Sequence, residues 1–447
     1  MKDIKVCKFG GTSMATRESI NRVIDIVSAD DRRKFVIVSA PGKRNKYDIK
    51  VTDQLYKIVE EQKTTGNFKE SFDALKERFV SLTKELGVDF DIISELDNLE
   101  KAIANGATAS YAASRGEYLS AKLLSAKTGW TFIDAKDIVR FNDCGVFDPE
   151  YTNDTAKALL QNVKGRAVIP GFYGASDGGD IFTFSRGGSD ITGAIVARAT
   201  DAIVYENWTD VDGFLTADPN IVENPKQINV LTYSELRELS YMGANVLHPE
   251  SIFPLRFTKA PINIRNTFHP DHDGTMIVSA YDATHERRIV TGIAGHKGFT
   301  SINITKSMMN SELGFGRRVL SVLEYAGVRF EHIPSGIDTL SVFVADNEIV
   351  GKMEKIISSI REAVNPDTIE IHSGMSLIAT VGQGMSDRTG TAARLFTALA
   401  KSGVKALPVY APKDGKFDIS AIAAVRAKVP PQNVWAWSLS DVELTRA

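Results

Sequence analysis

Through the first 285 residues, short apolar runs end in glycine or proline turns and give way to amphipathic helical segments, and this alternation constrains the fold more than any other feature of the chain. Lys5-Val6-Cys7-Lys8-Phe9 reads as a strand entering a glycine turn, after which Ile20, Val23, Ile24 and Val27 recur at helical spacing. Phe35-Val36-Ile37-Val38 is a second buried strand, ended by Ser39-Ala40-Pro41-Gly42. Further strands are expected near 130–133, 167–169, 182–184, 202–205 and 262–264, with helices between several of them. Phe68, Phe72, Leu75, Phe79, Leu82 and Leu86 form one apolar stripe, the buried face of a core helix. Strands alternating with helices imply an α/β domain with a mainly parallel sheet covered on both faces. Ligands of such sheets gather at the carboxyl ends of the strands, where the glycine turns here fall.

Beyond about residue 285 the units become smaller and a repeat emerges. Gly314, Arg318, Val319, Leu320, Leu323, Gly327 and Val328 are matched by Gly390, Arg394, Leu395, Phe396, Leu399, Gly403 and Val404, each pair 76 positions apart. Residue types and offsets agree together, which marks duplication of a small α+β module. The module resembles the ACT domain, a ligand-sensing βαββαβ unit. The first copy closes with an amphipathic helix over 349–364. The corresponding stretch of the second reads Val425-Arg426-Ala427-Lys428-Val429-Pro430-Pro431, through which no helix can run. The expected organisation is a catalytic domain over 1–285, a first module over 286–371 whose leading strand contributes to the second, and a second module over 372–447 with an atypical tail carrying Trp435 and Trp437.

Length alone, 447 residues, calls for two or three domains. Lys and Arg total 53 against 56 Asp and Glu, a net charge of −3, which argues against a nucleic-acid or membrane-surface partner. Lys43-Arg44-Asn45-Lys46 is too short to reverse that and falls in an expected loop. Cys7 and Cys144 are too few for a disulfide framework or a zinc cage. The N-terminus passes directly into a strand without an apolar leader, and no run of about 18 apolar residues is available to span a bilayer. A cytoplasmic location is expected, with no metal bound by the protein's own side chains.

Three glycine- or aspartate-rich strings carry chemistry. Lys8-Phe9-Gly10-Gly11-Thr12-Ser13 joins a strand to a helix. It lacks the Walker A and GxGxxG spacings, yet glycines that let backbone approach, bare amides and a mobile cation suit a phosphate. A Gly-Gly pair by itself is as well read as a tight turn; the six-residue string at the end of the first strand is more specific. Ser185-Arg186-Gly187-Gly188-Ser189-Asp190 opens another helix, expected over 191–198. Arg186 offers a planar fork to a carboxylate, while Ser189 or Asp190 could serve as helix caps. Trp208-Thr209-Asp210-Val211-Asp212-Gly213 follows the expected strand at 202–205, where a ribose and base could lie; as a surface turn it would need no function. Glu117, within Ser114-Arg115-Gly116-Glu117, lies in an expected helix flanked by small residues. Ser39 and Thr52 carry no signal by themselves.

Together with Gly243-Ala244-Asn245-Val246-Leu247-His248-Pro249, these strings stand in the order found in the aspartate kinases of the amino-acid kinase family, which the chain resembles over residues 1 to about 410. The tandem ACT modules separate this resemblance from carbamate, acetylglutamate, glutamate and uridylate kinases. It implies transfer of the γ-phosphoryl of ATP, with Mg²⁺, to the β-carboxylate of L-aspartate, the first step of lysine, threonine and methionine biosynthesis. It further implies catalytic roles for Lys8, Arg186 and Asp190. ATP would be held by Lys8, Gly10, Gly11, Thr12, Ser13, Thr209, Asp210, Leu215, Asn220 and Asn245. Leu215, Asn220 and Asn245 stand where relatives often have tyrosine, arginine and lysine. Aspartate would meet Ser39, Thr52, Glu117, Phe172, Arg186, Gly187, Gly188 and Ser189. Met309, Ser311, Phe330 and Glu331 match the place where relatives bind an inhibitory amino acid, lysine or threonine or both, between paired modules of a homodimer or larger homo-oligomer; ordinary module packing would account for them equally. The rival readings are a kinase for another acid, such as glutamate, and a catalytically silent amino-acid sensor.

Overall fold

The computed structural model describes residues 3–185, 187–243, 247, 254–255, 258, 260–282, 288–385 and 388–401, and the strand backbone at 405–408 and 420–426. The chain forms two compact units. One comprises Met1–Phe214, Gln227–Tyr233 and Asn245–His285; the other comprises Leu215–Lys226, Ser234–Ala244 and Glu286–Ala447.

In the first unit, β1 (Lys5–Phe9), α1 (Arg17–Ser28) and β2 (Arg33–Val38) are followed by four helices, α2 (Val51–Thr65), α3 (Lys69–Leu86), α4 (Ile92–Ala104) and α5 (Ala109–Thr128). The chain continues through β3 (Thr131–Phe132), α6 (Pro149–Leu160), β4 (Ala167–Pro170), β5 (Tyr173–Ala175), β6 (Ile181–Thr183), α7 (Gly188–Ala199), β7 (Val204–Thr209) and β8 (Val230–Thr232). Helix α8 (Tyr233–Tyr241) lies almost wholly in the other unit, and β9 (Ile262–Asn266) and β10 (Thr275–Val278) complete the first. An eight-stranded sheet has the order β3-β4-β2-β1-β7-β9-β10-β8, and every neighbouring pair is parallel except β9 with β10. Phe35, Val36, Ile37 and Val38 are all fully buried although they point alternately to opposite faces, as a sheet covered on both sides requires. Local chemistry sets the helix starts. Thr16 caps α1 by accepting from the Ser19 amide, and its own amide donates to the Ser19 hydroxyl. The apolar stripe is α3, with Phe72, Leu75, Phe79, Leu82 and Leu86 in the core.

Three expectations need correction. The strand expected at 182–184 is β6, which pairs with β5 in a separate antiparallel hairpin and not in the main sheet. The strand expected to stop at 205 runs to Thr209, so Trp208 and Thr209 belong to β7 and only Asp210 onward is turn. The helix expected from 191 begins at Gly188, which puts Ser189 and Asp190 inside its first turn.

The second unit holds β11 (Gly292–Thr305), α9 (Phe315–Tyr325), β12 (Thr339–Ala345), α10 (Asp346–Ile349), α11 (Met353–Val364), β13 (Thr368–Val381), α12 (Thr391–Lys401), β14 (Lys405–Pro408) and β15 (Ser420–Arg426). They build an antiparallel sheet of order β12-β11-β13-β15-β14. The repeat is visible in the coordinates: β11 and β13 begin and end 76 positions apart, as do α9 and α12. The two long strands pair with each other from Gly292↔Val381 to Thr305↔Thr368, interrupted where Gly298 and Gly374 take positive φ. The offset then changes. β15 starts 81 positions after β12, so Val425 and Arg426 lie in a strand and do not align with the closing helix of the first copy. Pro430, Pro431, Trp435 and Trp437 lie outside the described residues. One core gathers Ile302, Ile304, Phe315, Val319, Val342 and Ile356; another joins Ile378, Leu395 and Leu399 to Ala217 and Val222. No helix among the described residues is long and apolar enough to cross a membrane.

Candidate active site

The register of the parallel strands brings the motif strings to one edge. Phe9 pairs with Val38 on one side and with Trp208 on the other, and Val38 pairs with Pro170. The segments that follow, at Gly10, Ser39, Gly171 and Asp210, therefore leave the sheet at the same carboxyl end. The Gly10 amide donates to the Trp208 carbonyl at 3.0 Å and the Ser39 amide to the Phe9 carbonyl at 3.1 Å. A short 3₁₀ turn over Gly11–Met14 follows, with no side chain capping it. Gly11 and Gly42 lie so close that a Cβ on Gly42 would stand 2.6 Å from the Gly11 carbonyl carbon, and the Gly42 amide donates to the Gly11 carbonyl at 2.8 Å. Only glycine allows that approach.

Lys8 is nearly buried, and its Nζ lies 2.6 Å from Asp190 Oδ1. The same oxygen accepts from Asn207 Nδ2 at 2.9 Å. Asp190 thus faces the sheet as an acceptor and caps nothing; the N-cap of α7 is Gly187, without a side-chain cap bond. Thr12 donates to Asp210 at 3.1 Å, Thr209 also donates to Asp210, and the Ser13 hydroxyl shares a 2.8 Å hydrogen bond with Thr267. Lys8, Gly10, Gly11, Thr12, Ser13, Asp190, Thr209 and Asp210 are accordingly one cluster. Among the described residues no group of three or more His, Cys, Asp or Glu side chains is arranged to hold a metal ion.

A second cluster borders it. Gly171 and Phe172 pack against Ser189 and Gly188: a Cβ on Gly188 would fall 2.6 Å from the Phe172 ring, and Phe172 itself takes φ 80°. Glu117 projects from α5, buried, with Oε2 lacking any hydrogen-bond partner among the described residues. Burial pushes its carboxyl up to about 8, against which the Ala40 amide, its own amide and the Arg115 charge pull down. A buried carboxyl with one oxygen left unpaired fits a site built to receive a cation. Thr52 lies in the first turn of α2, whose leading amide, that of Val51, donates to the Pro41 carbonyl.

Leu215 and Asn220 belong to the second unit, where Asn220 is exposed and bonds to Asp218. Arg186 and Asn245 lie outside the described residues. Met309 packs into the core around α9, and the Ser311 hydroxyl donates to the Met308 carbonyl. Phe330 and Glu331 line a cavity of about 750 Å³ in the second unit, together with Tyr241, Leu320, Arg329 and Glu348; Met309 and Ser311 are not among its lining residues. Sequence reasoning missed Asn207 and Thr267. A buried polar residue just before Trp208-Thr209 was the available signal for the first; Thr267 had none, since 254 positions separate it from Ser13.

A lysine, bare turn amides and glycine-lined strand ends are the parts of a phosphoryl-transfer site. The model of the amino acid kinase family matches residues 3–266. Aspartokinase 3 of Bacillus subtilis is 38% identical over 419 residues, covering 90% of this chain and 91% of its own. The crystal structure of Clostridium acetobutylicum aspartate kinase, an allosteric enzyme, is 45% identical, covers 98% of this chain and 99% of its own, and superposes with a TM-score of 0.88. Escherichia coli aspartokinase III in complex with aspartate and ADP, at 22% identity and a TM-score of 0.74, covers 98% of this chain and all of its own, and shares the fold. The chain belongs to the amino acid kinase family and, within it, to the aspartate kinases.

Proposed function

We propose that the edge described above carries ATP on the turn after β1 and L-aspartate between α5, Phe172 and the start of α7. The observation that bears most weight is the Lys8–Asp190 pair, 2.6 Å long and mostly shielded, beside a glycine turn. An ammonium held in place by an acceptor, and free to exchange it for phosphate oxygens, can neutralise charge on the phosphoryl group in transit. Gly10, Gly11, Thr12 and Ser13 receive the triphosphate, and Thr209 and Asp210 the adjoining part of the nucleotide. Glu117 takes the α-ammonium of aspartate and Arg186 grips a carboxylate, which fixes the end presented; Ser39, Thr52, Gly187, Gly188 and Ser189 wall the pocket. The β-carboxylate, with a reference pKa of about 3.9, is ionised at neutral pH, so attack needs no general base. Mg²⁺ would arrive with the nucleotide and supply positive charge to its phosphates, since no group of acidic side chains among the described residues is arranged to hold it. Trapping the acyl phosphate with hydroxylamine tests the assignment: Lys8→Ala should abolish hydroxamate formation while leaving the fold intact, and full activity in that variant would refute the role.

The cavity beside Phe330 and Glu331 supports a regulatory site for an end-product amino acid. Glu324, Glu331 and Glu348 line it with Arg329, a carboxylate excess that favours lysine over threonine. The modules pair two copies of the chain in this reading, and the enzyme works in the cytoplasm.

A further inference from the structure

Arg78 belongs to none of the motif strings, yet it is the buried cation of α3, only 5% exposed. A buried guanidinium needs partners, and among the described residues those of Arg78 lie on one stretch of chain, the link between β2 and α2. Nη1 donates to the Ile49 carbonyl at 2.7 Å, Nη2 donates to the Gly42 carbonyl, and the Asp48 carboxylate stands 3.5 Å away. Arg44 in turn holds Asp48 from the solvent side, Nε to Oδ2 at 2.8 Å. Between those carbonyls residues 43–47 are exposed and form no helix or strand; the Arg44 amide on Asp48 and the Asp48 amide on the Asn45 carbonyl tie the segment to itself, and Arg78 ties it to α3.

The same link touches both the phosphate turn and the amino-acid pocket. Gly42 seats against Gly11 and donates to its carbonyl. The Ala40 amide bears on Glu117. Pro41 accepts from Val51, the residue before Thr52. We propose that Arg78 is a positioning residue, a two-pronged clamp that closes both ends of the 42–49 link and so keeps the phosphate turn and the amino-acid pocket in register. The planar fork matters: a guanidinium reaches two separated carbonyls from two nitrogens at fixed spacing, whereas the three donors of an ammonium radiate from a single nitrogen on a flexible stem. The inference rests on the site assignment above, and its test is built to separate the two.

Arg78→Ala and Arg78→Lys are made in the full chain, and amide hydrogen exchange is read at Gly42, at Val51 and across 43–50. Both variants should exchange faster there while β9 and β10 keep their protection. kcat/KM should fall about a hundredfold in Arg78→Ala, as displacement by about an ångström can cause. The loss should appear as raised KM for both substrates together with lowered kcat, and added guanidinium ion should restore part of the rate. Arg78→Lys, which keeps the buried charge and so the fold, should lie between. Native exchange at Gly42 in either variant overturns the clamp, and so does a loosened link with an unaltered kcat/KM. An active Lys8→Ala variant would instead overturn the site assignment and leave the exchange result standing.

Discussion

Lys5 and Lys8 stand three residues apart on β1, and each meets a shielded carboxylate, but on opposite faces of the sheet. On the Lys5 face, Glu206 accepts from Lys5 at 3.2 Å, Arg33 Nε at 2.8 Å, Trp208 Nε1 at 3.0 Å and the Cys7 thiol at 3.4 Å. Burial raises the Glu206 carboxyl, yet the Arg33 and Lys5 cations outweigh it and hold it below the usual carboxylate range. Cys7, buried against that anion, is pushed well up and stays a thiol. On the Lys8 face Asp190 has two side-chain donors among the described residues, at the start of a helix and beside a glycine turn. Saturation is what separates them: Glu206 has no capacity left for a ligand, whereas in the proposed reaction Lys8 would leave a carboxylate that Asn207 still holds. A buried ion pair therefore marks a site only where one partner can change hands.

Several changes would break this contrast. The largest effect belongs to Lys8→Ala, which should lower kcat roughly a thousandfold with little change in melting temperature. Glu206→Ala should do the reverse, losing about 3 kcal/mol of stability by stranding Arg33 in the interior, while folded molecules keep a near-native kcat. Chemical denaturation with parallel rate measurement distinguishes the two; a collapse of kcat in folded Glu206→Ala would erase the distinction. Smaller still is Lys5→Met, at about 1 kcal/mol in the same assay, because Arg33 remains on Glu206.

Glu117 sharpens the comparison through pH. Its folded carboxyl titrates at about 8, above the ordinary 4.5. Its contribution to folding is therefore complete below pH 4.5 and is lost as pH rises through about 8, and Glu117→Gln should flatten that slope. An arriving ammonium favours the ionised form, so aspartate binding at pH 7 should release a proton and tighten as pH rises towards 8. Calorimetry in two buffers of different ionisation enthalpy reads the release directly, and an identical heat in both would dissociate Glu117 from the ammonium.

Much of this architecture was legible in the residues. Short apolar runs located β1, β2, β4 and β9, helical spacing located α3, and the constant offset revealed the duplicated module. What escaped shares one physical cause. The end of β7 was missed because Trp208 and Thr209 were read as part of a turn string, when parallel pairing with β1 and β9 carries the strand through them. Thr267, Asn207 and Arg78 act through contacts between segments remote in sequence, and no local pattern reports those. The shift of β15 relative to β12 arises in the longer connection after α12, 19 positions from its end to the next matched strand against 14 in the first copy, and hydrophobic spacing does not register such an insertion.

The long strands β11 and β13 hydrogen-bond to each other along nearly their whole length, kinked at matching glycines. Half of β11 lies beside β12 and half of β13 beside β15, so the two copies are laced along one seam and do not hang as separate beads. A chain cut at residue 371 would keep β11 but strip the partner from its leading half, baring amides and carbonyls that solicit any passing strand. Such a truncation would make a sticky, self-associating protein before it made a merely deregulated enzyme.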